Sequence, residues 1–293
     1  MNDPFKIVGI QELPAAPVLR PKWYQGKPIL SMVLLGLIVL GCLFCQLIMT
    51  KDPTYMNLMD YNQAPNGTYL FGTDTMGRDI FSMIWYGGRI SLFIGFFSTA
   101  ISTAIAIVFG AVSGCAPPWL DTLLMRLTDI ILSIPGLLLT ILILAILGQA
   151  NVLTISIVIG LTSWTSIAKV VRTEVQQIRN SEYVLASRCM GGGFFHILWH
   201  HLTPNFISSI MFMVVMNIRS AIVAESTLSF MGLGLPLEII SWGSMLSLSE
   251  KALLTNSWWI ILIPGFFLVL TLMCVTNIGN YLRKSSNRSQ SNL

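Results

Sequence analysis

Six stretches of about 20 residues, nearly free of charge, decide what this chain can become. They fall at 29–49, 90–114, 130–148, 152–170, 206–230 and 258–281. A helix of that length covers the hydrocarbon core of a bilayer while satisfying its own backbone groups. With 54% hydrophobic and only 10% charged residues, the 293-residue chain has too little polar surface to enclose itself as a soluble globule. The expected fold class is an all-α membrane protein with six transmembrane helices.

The first run follows 28 residues that contain Pro14, Pro17, Pro21 and Pro28, and no small-residue cleavage site comes after it. It reads as a retained helix, with a removed leader as the alternative. Basic residues near the ends of spans resist translocation, so their distribution sets orientation. With the N-terminus inside, twelve Lys and Arg lie on the inner side (Lys6, Arg20, Lys22, Lys27, Arg126, Lys169, Arg172, Arg179, Arg188, Arg283, Lys284, Arg288) and four on the outer side (Lys51, Arg78, Arg89, Lys251). Both termini are therefore expected in the cytoplasm. The net charge of +4 is a topology signal, and no aromatic-interleaved basic patch points to nucleic acid.

Three segments between the runs are long: an outer one at 50–89, an inner one at 171–205 and an outer one at 231–257. The division expected along the chain is a tail at 1–28, a first helix at 29–49, the outer loop 50–89, a core at 90–281 holding the inner segment 171–205, and a tail at 282–293. The last of these, low in complexity, is expected to be irregular. Asn66-Gly67-Thr68 matches a glycosylation triplet and carries no weight alone. No G-x-x-x-x-G-K-[ST], H-E-x-x-H or G-x-S-x-G occurs. Nothing in the chain suggests that it hydrolyses ATP or acts as an enzyme, and no cofactor is implied. Cys42 and Cys45 form a C-x-x-C inside an apolar helix without a second pair, which fits packing or lipid contact better than zinc or redox chemistry.

Charge inside a bilayer costs about 2.5–3.5 kcal/mol per residue at a helix centre, so it pairs or faces water. Arg219 stands near the middle of the fifth run and Glu225 six residues on, about 120° away around a helix. The two read as members of a water-filled path or an inter-subunit contact, with snorkelling or pairing to another helix as the alternative. Arg126 and Asp129, three apart, read as a local ion pair. His196 and His200, spaced i, i+4, with His201 beside them, invite a metal reading, but no carboxylate or thiolate stands close and an interfacial helix suits them better.

The inner segment reads as helix, break, helix. Ser181 opens "SEYVLASRCM", Gly191-Gly192-Gly193 interrupts, and "FFHILWHHL" sets Phe195, Leu198, Trp199 and Leu202 at helical spacing before Pro204. An apolar strip on a cytoplasmic loop needs a partner to cover it.

These residues carry a resemblance. "LASRCMG" at 185–191 followed by "HLTPN" at 201–205 resembles the EAA loop of ABC-importer permeases, where a coupling helix fits a groove on a cytoplasmic ATPase. Leu185, Ala186 and Ser187 stand where that family has Glu-Ala-Ala, and Glu182 supplies a carboxylate one turn earlier. "LFGTDTMGRDIFSMIWYGGRISLFIG" at 70–95 and "STLSFMGLGLPLEIISWGSML" at 226–246 resemble signatures of the C-type permease of dipeptide, oligopeptide and nickel importers.

The resemblance implies a type I importer half in a bacterial or archaeal cell membrane. Five core helices would surround a path shared with a second, homologous permease. Two cytoplasmic ATPase subunits would dock beneath, an extracytoplasmic binding protein would deliver ligand from above, and Glu182, Leu185, Ala186, Ser187, Gly191, Leu202 and Pro204 would form the coupling contact. ATP-driven closure of the ATPases then biases a two-state bundle. On the outer loop, Asp74, Arg78 and Asp79 would either touch the binding protein or substrate, or cap and pair within the loop. Di- or oligopeptide is the expected cargo, nickel or a metallophore the alternative. A stand-alone channel or secondary transporter would call for an internal repeat and several central charges, and neither is visible.

Overall fold

The computed structural model describes residues 27–148, 150–179, 181–191, 193, 203–236, 238–248, 252 and 255–290. Its helices are α1 Ile29–Leu43, α2 Cys45–Ile48, α3 Ile80–Cys115, α4 Pro118–Ser133, α5 Gly136–Leu147, α6 Val152–Thr162, α7 Thr165–Ile178, α8 Glu182–Cys189, α9 Thr203–Phe230, α10 Trp242–Ser247 and α11 Trp259–Gln290. Among the described residues the only strand-like pairing is an isolated bridge between Thr73 and Asp79. Three stretches are long and apolar enough to cross a bilayer alone: Ile80–Cys115, Ser209–Phe230 and Trp259–Lys284. Two bent pairs, α4 with α5 and α6 with α7, meet that test only together, and α1 is a shorter apolar helix.

Several expected boundaries move, each for a local reason. The second run begins at Ile80 rather than 90, because Asp79 accepts a hydrogen bond from Ser82 N and caps α3. The third run is not one helix. Pro135 forbids continuation and pushes Ile134 to extended backbone (φ −91°, ψ 128°), so α4 and α5 meet at 88°. The fourth bends by 45° at Ser163-Trp164, where the Ser163 hydroxyl donates to the Ile159 carbonyl. The first breaks at Phe44. At the far end α11 continues to Gln290, into the segment expected to be irregular.

Helix α3 is the post around which the others pack. One face carries Gly88, Ser91, Gly95, Ser98, Ser102, Ala106, Gly110 and Gly114, spaced three or four apart and all buried. Small residues at that spacing let backbones approach, which in lipid replaces the hydrophobic drive between helices. A Cβ at Gly110 would stand 2.5 Å from the Ala168 carbonyl oxygen on α7, and one at Gly95 would stand 2.5 Å from Ile222 on α9. Helices α6 and α7 pack along this face with α9, and α11 closes the bundle against α9 and α1. Asn277 donates to the Ser31 hydroxyl at 3.1 Å, fixing α1 to α11. Cys42 and Cys45 are buried, and the Cys42 sulfur would lie 2.6 Å from a Cβ placed on Gly88.

Candidate functional site

The segment between α7 and α9 starts on a rigid seat. Arg179, which ends α7, donates to the Gly114 carbonyl at 2.8 Å, and Ser181 Oγ donates to Ile178 O at 2.7 Å. Helix α8 then buries Val184 in the same cluster as Ala106, Val175 and Ile210, and Ser187 is buried with it. Glu182, Cys189 and Met190 face outward, Met190 at 83% exposure. Gly191 has φ +87°, a left-handed conformation that L side chains rarely adopt, and a Cβ there would meet nothing within 4 Å. Backbone shape, not crowding by the described residues, requires the glycine. His196, His200, His201 and Leu202 lie outside the described residues, as do the side chains of Leu185, Ala186 and Pro204. The backbone at Pro204 is in the first turn of α9, where a missing N–H costs nothing.

On the opposite end, residues 50–79 fold into a cap held by three of the residues singled out in the sequence. Asp74 accepts from Met76 N at 2.8 Å, from Arg78 N at 2.9 Å and from Arg78 Nε at 2.7 Å. Asp79 accepts from Ser82 N at 3.1 Å, Ser82 Oγ at 2.6 Å and Thr50 Oγ1 at 3.0 Å, tying the end of the first run to the start of α3. Asp74, Arg78 and Asp79 are each at most 3% exposed. Trp259 Nε1 donates to Thr73 O at 3.1 Å, so α11 also anchors the cap. Tyr69 donates to Asp60 at 2.7 Å, and that bond to a carboxylate raises the phenol above its ordinary range.

Arg219 and Glu225 are not brought together. The Glu225 carboxyl is fully enclosed and accepts from four serine hydroxyls: Ser241 at 2.7 Å, Ser229 at 3.0 Å, Ser91 at 3.2 Å and Ser226 at 3.3 Å. Three of those serines in turn accept backbone N–H groups of the outer segment, Ser91 from Trp242, Ser229 from Leu235 and Ser241 from Ser244. The carboxyl is thus the hub through which α3, α9 and the segment leading into α10 are joined. Within the described residues the Glu225 carboxyl is buried and its acceptor sites are taken by these four hydroxyls. The sequence signal was the serines at 226 and 229, one and four residues after the glutamate, and Ser241 on a separate motif.

Arg219 has a different setting. It is half-buried and lines a cleft of about 360 Å³ between α5, α6 and α9, together with Thr140, Thr162, Ser163, Asn217, Ser220 and Thr227. Its Nη1 lies 3.5 Å from Thr276 Oγ1. Thr140 and Thr162 hydroxyls are 3.2 Å apart and Asn217 donates to Ser102 at 2.6 Å, so the polar wall is held in place by helices on either side.

The inner ends of the helices are joined by ion pairs, though not the expected one. Asp129 pairs with Lys169 of α7 at 2.6 Å instead of with Arg126, because α7 lies alongside α4 and offers a long, flexible amine. Asp121 on α4 receives both Arg172 Nε and Nη2 and also Ser113 Oγ at 2.6 Å, a bidentate junction of α3, α4 and α7. Among the described residues no group of three His, Cys, Asp or Glu could hold a metal.

A helical bundle with apolar spans, a structured cap and a hydroxyl-lined cleft beside a mid-span arginine has the parts of a multi-pass membrane transport subunit. The chain belongs to the family described as binding-protein-dependent transport system inner membrane component, whose model matches residues 106–288. It is 34% identical over 258 residues to the dipeptide transport system permease protein DppC of Bacillus subtilis (strain 168), covering 86% of this chain and 80% of that one. It is 35% identical to the oligopeptide transport system permease protein OppC of the same organism, over 86% of this chain and 82% of the relative. A putative peptide permease protein of Brucella suis biovar 1 (strain 1330) is 36% identical over 93% of this chain and 92% of its own length.

Proposed function

We propose that this chain is the permease subunit of an ATP-driven importer of di- or oligopeptides, forming half of the translocation path. The observation that carries the reading is the similarity, over more than four fifths of the chain, to proteins described as dipeptide, oligopeptide and peptide permeases. None of these descriptions mentions nickel, so the nickel alternative has no support from them. The two bent pairs and the broken first run fit six passages across the membrane, with both termini cytoplasmic as the basic residues require. In this reading a second, homologous permease faces the cleft, two ATPases dock beneath the pair with one of them on the α8 segment, and a binding protein meets the outer cap.

The coupling assignment rests on α8. Val184 packs in the cluster that holds Val175 of α7 and Ile210 of α9, which gives force applied to the outward face of α8 a route into the bundle. Arg219 and its hydroxyl-rich cleft belong to the path. Glu225 instead fixes the outer ends of α3 and α9, and Asp74, Arg78 and Asp79 shape the cap. A strain lacking the chain is expected to lose uptake of labelled di- and tripeptides and to keep nickel uptake. Loss of nickel uptake with peptide uptake intact would reverse the substrate assignment.

A further inference from the structure

We propose that Arg219 is a carboxylate-binding station: a peptide moving along the cleft pairs its C-terminal carboxylate with the guanidinium. The inference rests on the peptide-importer reading above. A guanidinium carries five N–H donors in a planar fork matched to a carboxylate. Among the described residues Arg219 forms no ion pair, and its one hydrogen bond is the 3.5 Å contact with Thr276, whose own hydroxyl donates to Leu272 O at 2.6 Å. The nearest acid along α9, Glu225, is committed to its serines.

The surroundings narrow the ligand. Arg219 lies near the middle of the Ser209–Phe230 span, roughly 15 Å from either end at 1.5 Å per residue, too deep for a lipid phosphate. The hydroxyls of Thr140, Thr162, Ser163 and Thr227 donate to carbonyls of their own helices, so they face the cleft as acceptors for peptide N–H groups, and the described lining has no acidic side chain to hold an amino terminus. A single cation in an otherwise uncharged and largely apolar wall, which includes Leu137, Ile159 and Val223, selects the one anionic group that every unblocked peptide carries. Deep in the bilayer, where the effective dielectric is low, that contact discriminates strongly against a neutral end.

The test compares uptake of a tripeptide with that of its C-terminal amide by the full reconstituted complex, with rates normalised to binding protein loaded with each. The wild-type complex is expected to move the free acid about tenfold faster, equal to about 1.4 kcal/mol. In Arg219→Gln the ratio should fall to about one. In Arg219→Lys, which keeps the charge and loses the fork, it should fall several-fold. A ratio unchanged in both variants, or an equal loss of both peptides, overturns the inference; the latter would indicate a static pair with a carboxylate of the second permease. Should Arg219→Gln fail to assemble, Arg219→Lys decides by the same ratio. Wild-type uptake of neither peptide would defeat the peptide reading itself, whereas uptake of both at a ratio independent of Arg219 defeats this inference alone.

Discussion

Gly191→Pro is expected to reduce ATP-driven uptake to background while the four-subunit complex still assembles. Proline fixes φ near −65°, and the chain at 191 holds φ +87°. The segment leaving α8 must then take another course, and its outward face no longer meets the ATPase in the same way in both states of the cycle. Assembly should survive because Val184, which packs α8 against Val175 and Ile210, precedes the change. Gly191→Ala is expected to be milder, since the left-handed conformation costs an L residue only about 1–2 kcal/mol and no atom of the described residues lies within 4 Å of the added Cβ. Gly191→Trp carries the same backbone penalty plus the bulk of an indole, so it is expected to lose more uptake than Gly191→Ala. The measurement is ATP hydrolysis and uptake side by side: hydrolysis retained with uptake lost is the expected pattern, and normal uptake in Gly191→Pro contradicts the coupling assignment.

Glu225→Leu should have the second large effect, this time on stability. The substitution strands the hydroxyls of Ser91, Ser229 and Ser241, which are buried and also hold backbone N–H groups of the outer segment. Leaving a buried polar group unsatisfied costs about 1–3 kcal/mol each, so a total near 3 kcal/mol is a modest expectation. By the scale for domains of 150–250 residues, that lowers Tm by roughly 6–12 °C. Glu225→Gln keeps one accepting oxygen and turns the other position into a donor facing serines that already accept elsewhere. It should fall between wild type and Glu225→Leu in a thermal unfolding assay on the purified permease pair. Equal stability of all three would show that the carboxyl is not the hub.

Most of the helical plan was legible because each span had to be apolar along its length, and a run of that kind survives any detail of packing. The ends were less so. Residues 80–89 contain Tyr86, Gly87, Gly88 and Arg89, which dilute the apolar signal, and the start of α3 is fixed by an aspartate cap rather than by hydropathy. Pro135 was visible, yet its consequence, an 88° corner that turns α4 away from α5, depends on what α4 packs against. Asp121 and Arg172 are 51 residues apart, and Glu225 and Ser91 134 apart, so no periodicity joins them. The small-residue face of α3 could have been found by counting Gly, Ser and Ala every three or four residues from Gly88 to Gly114. Arg219 was identifiable as a central charge set about 120° from Glu225, but the cleft that it lines takes shape only when α5 and α6 supply the wall.

The most direct test of the whole account is ATP-dependent uptake of a labelled peptide into proteoliposomes containing this chain, its second permease and the two ATPases, with loaded binding protein outside. Uptake is predicted to require every component and to stop when either this chain or ATP is omitted. Peptide entry through this chain alone, or entry that proceeds without ATP, would contradict it.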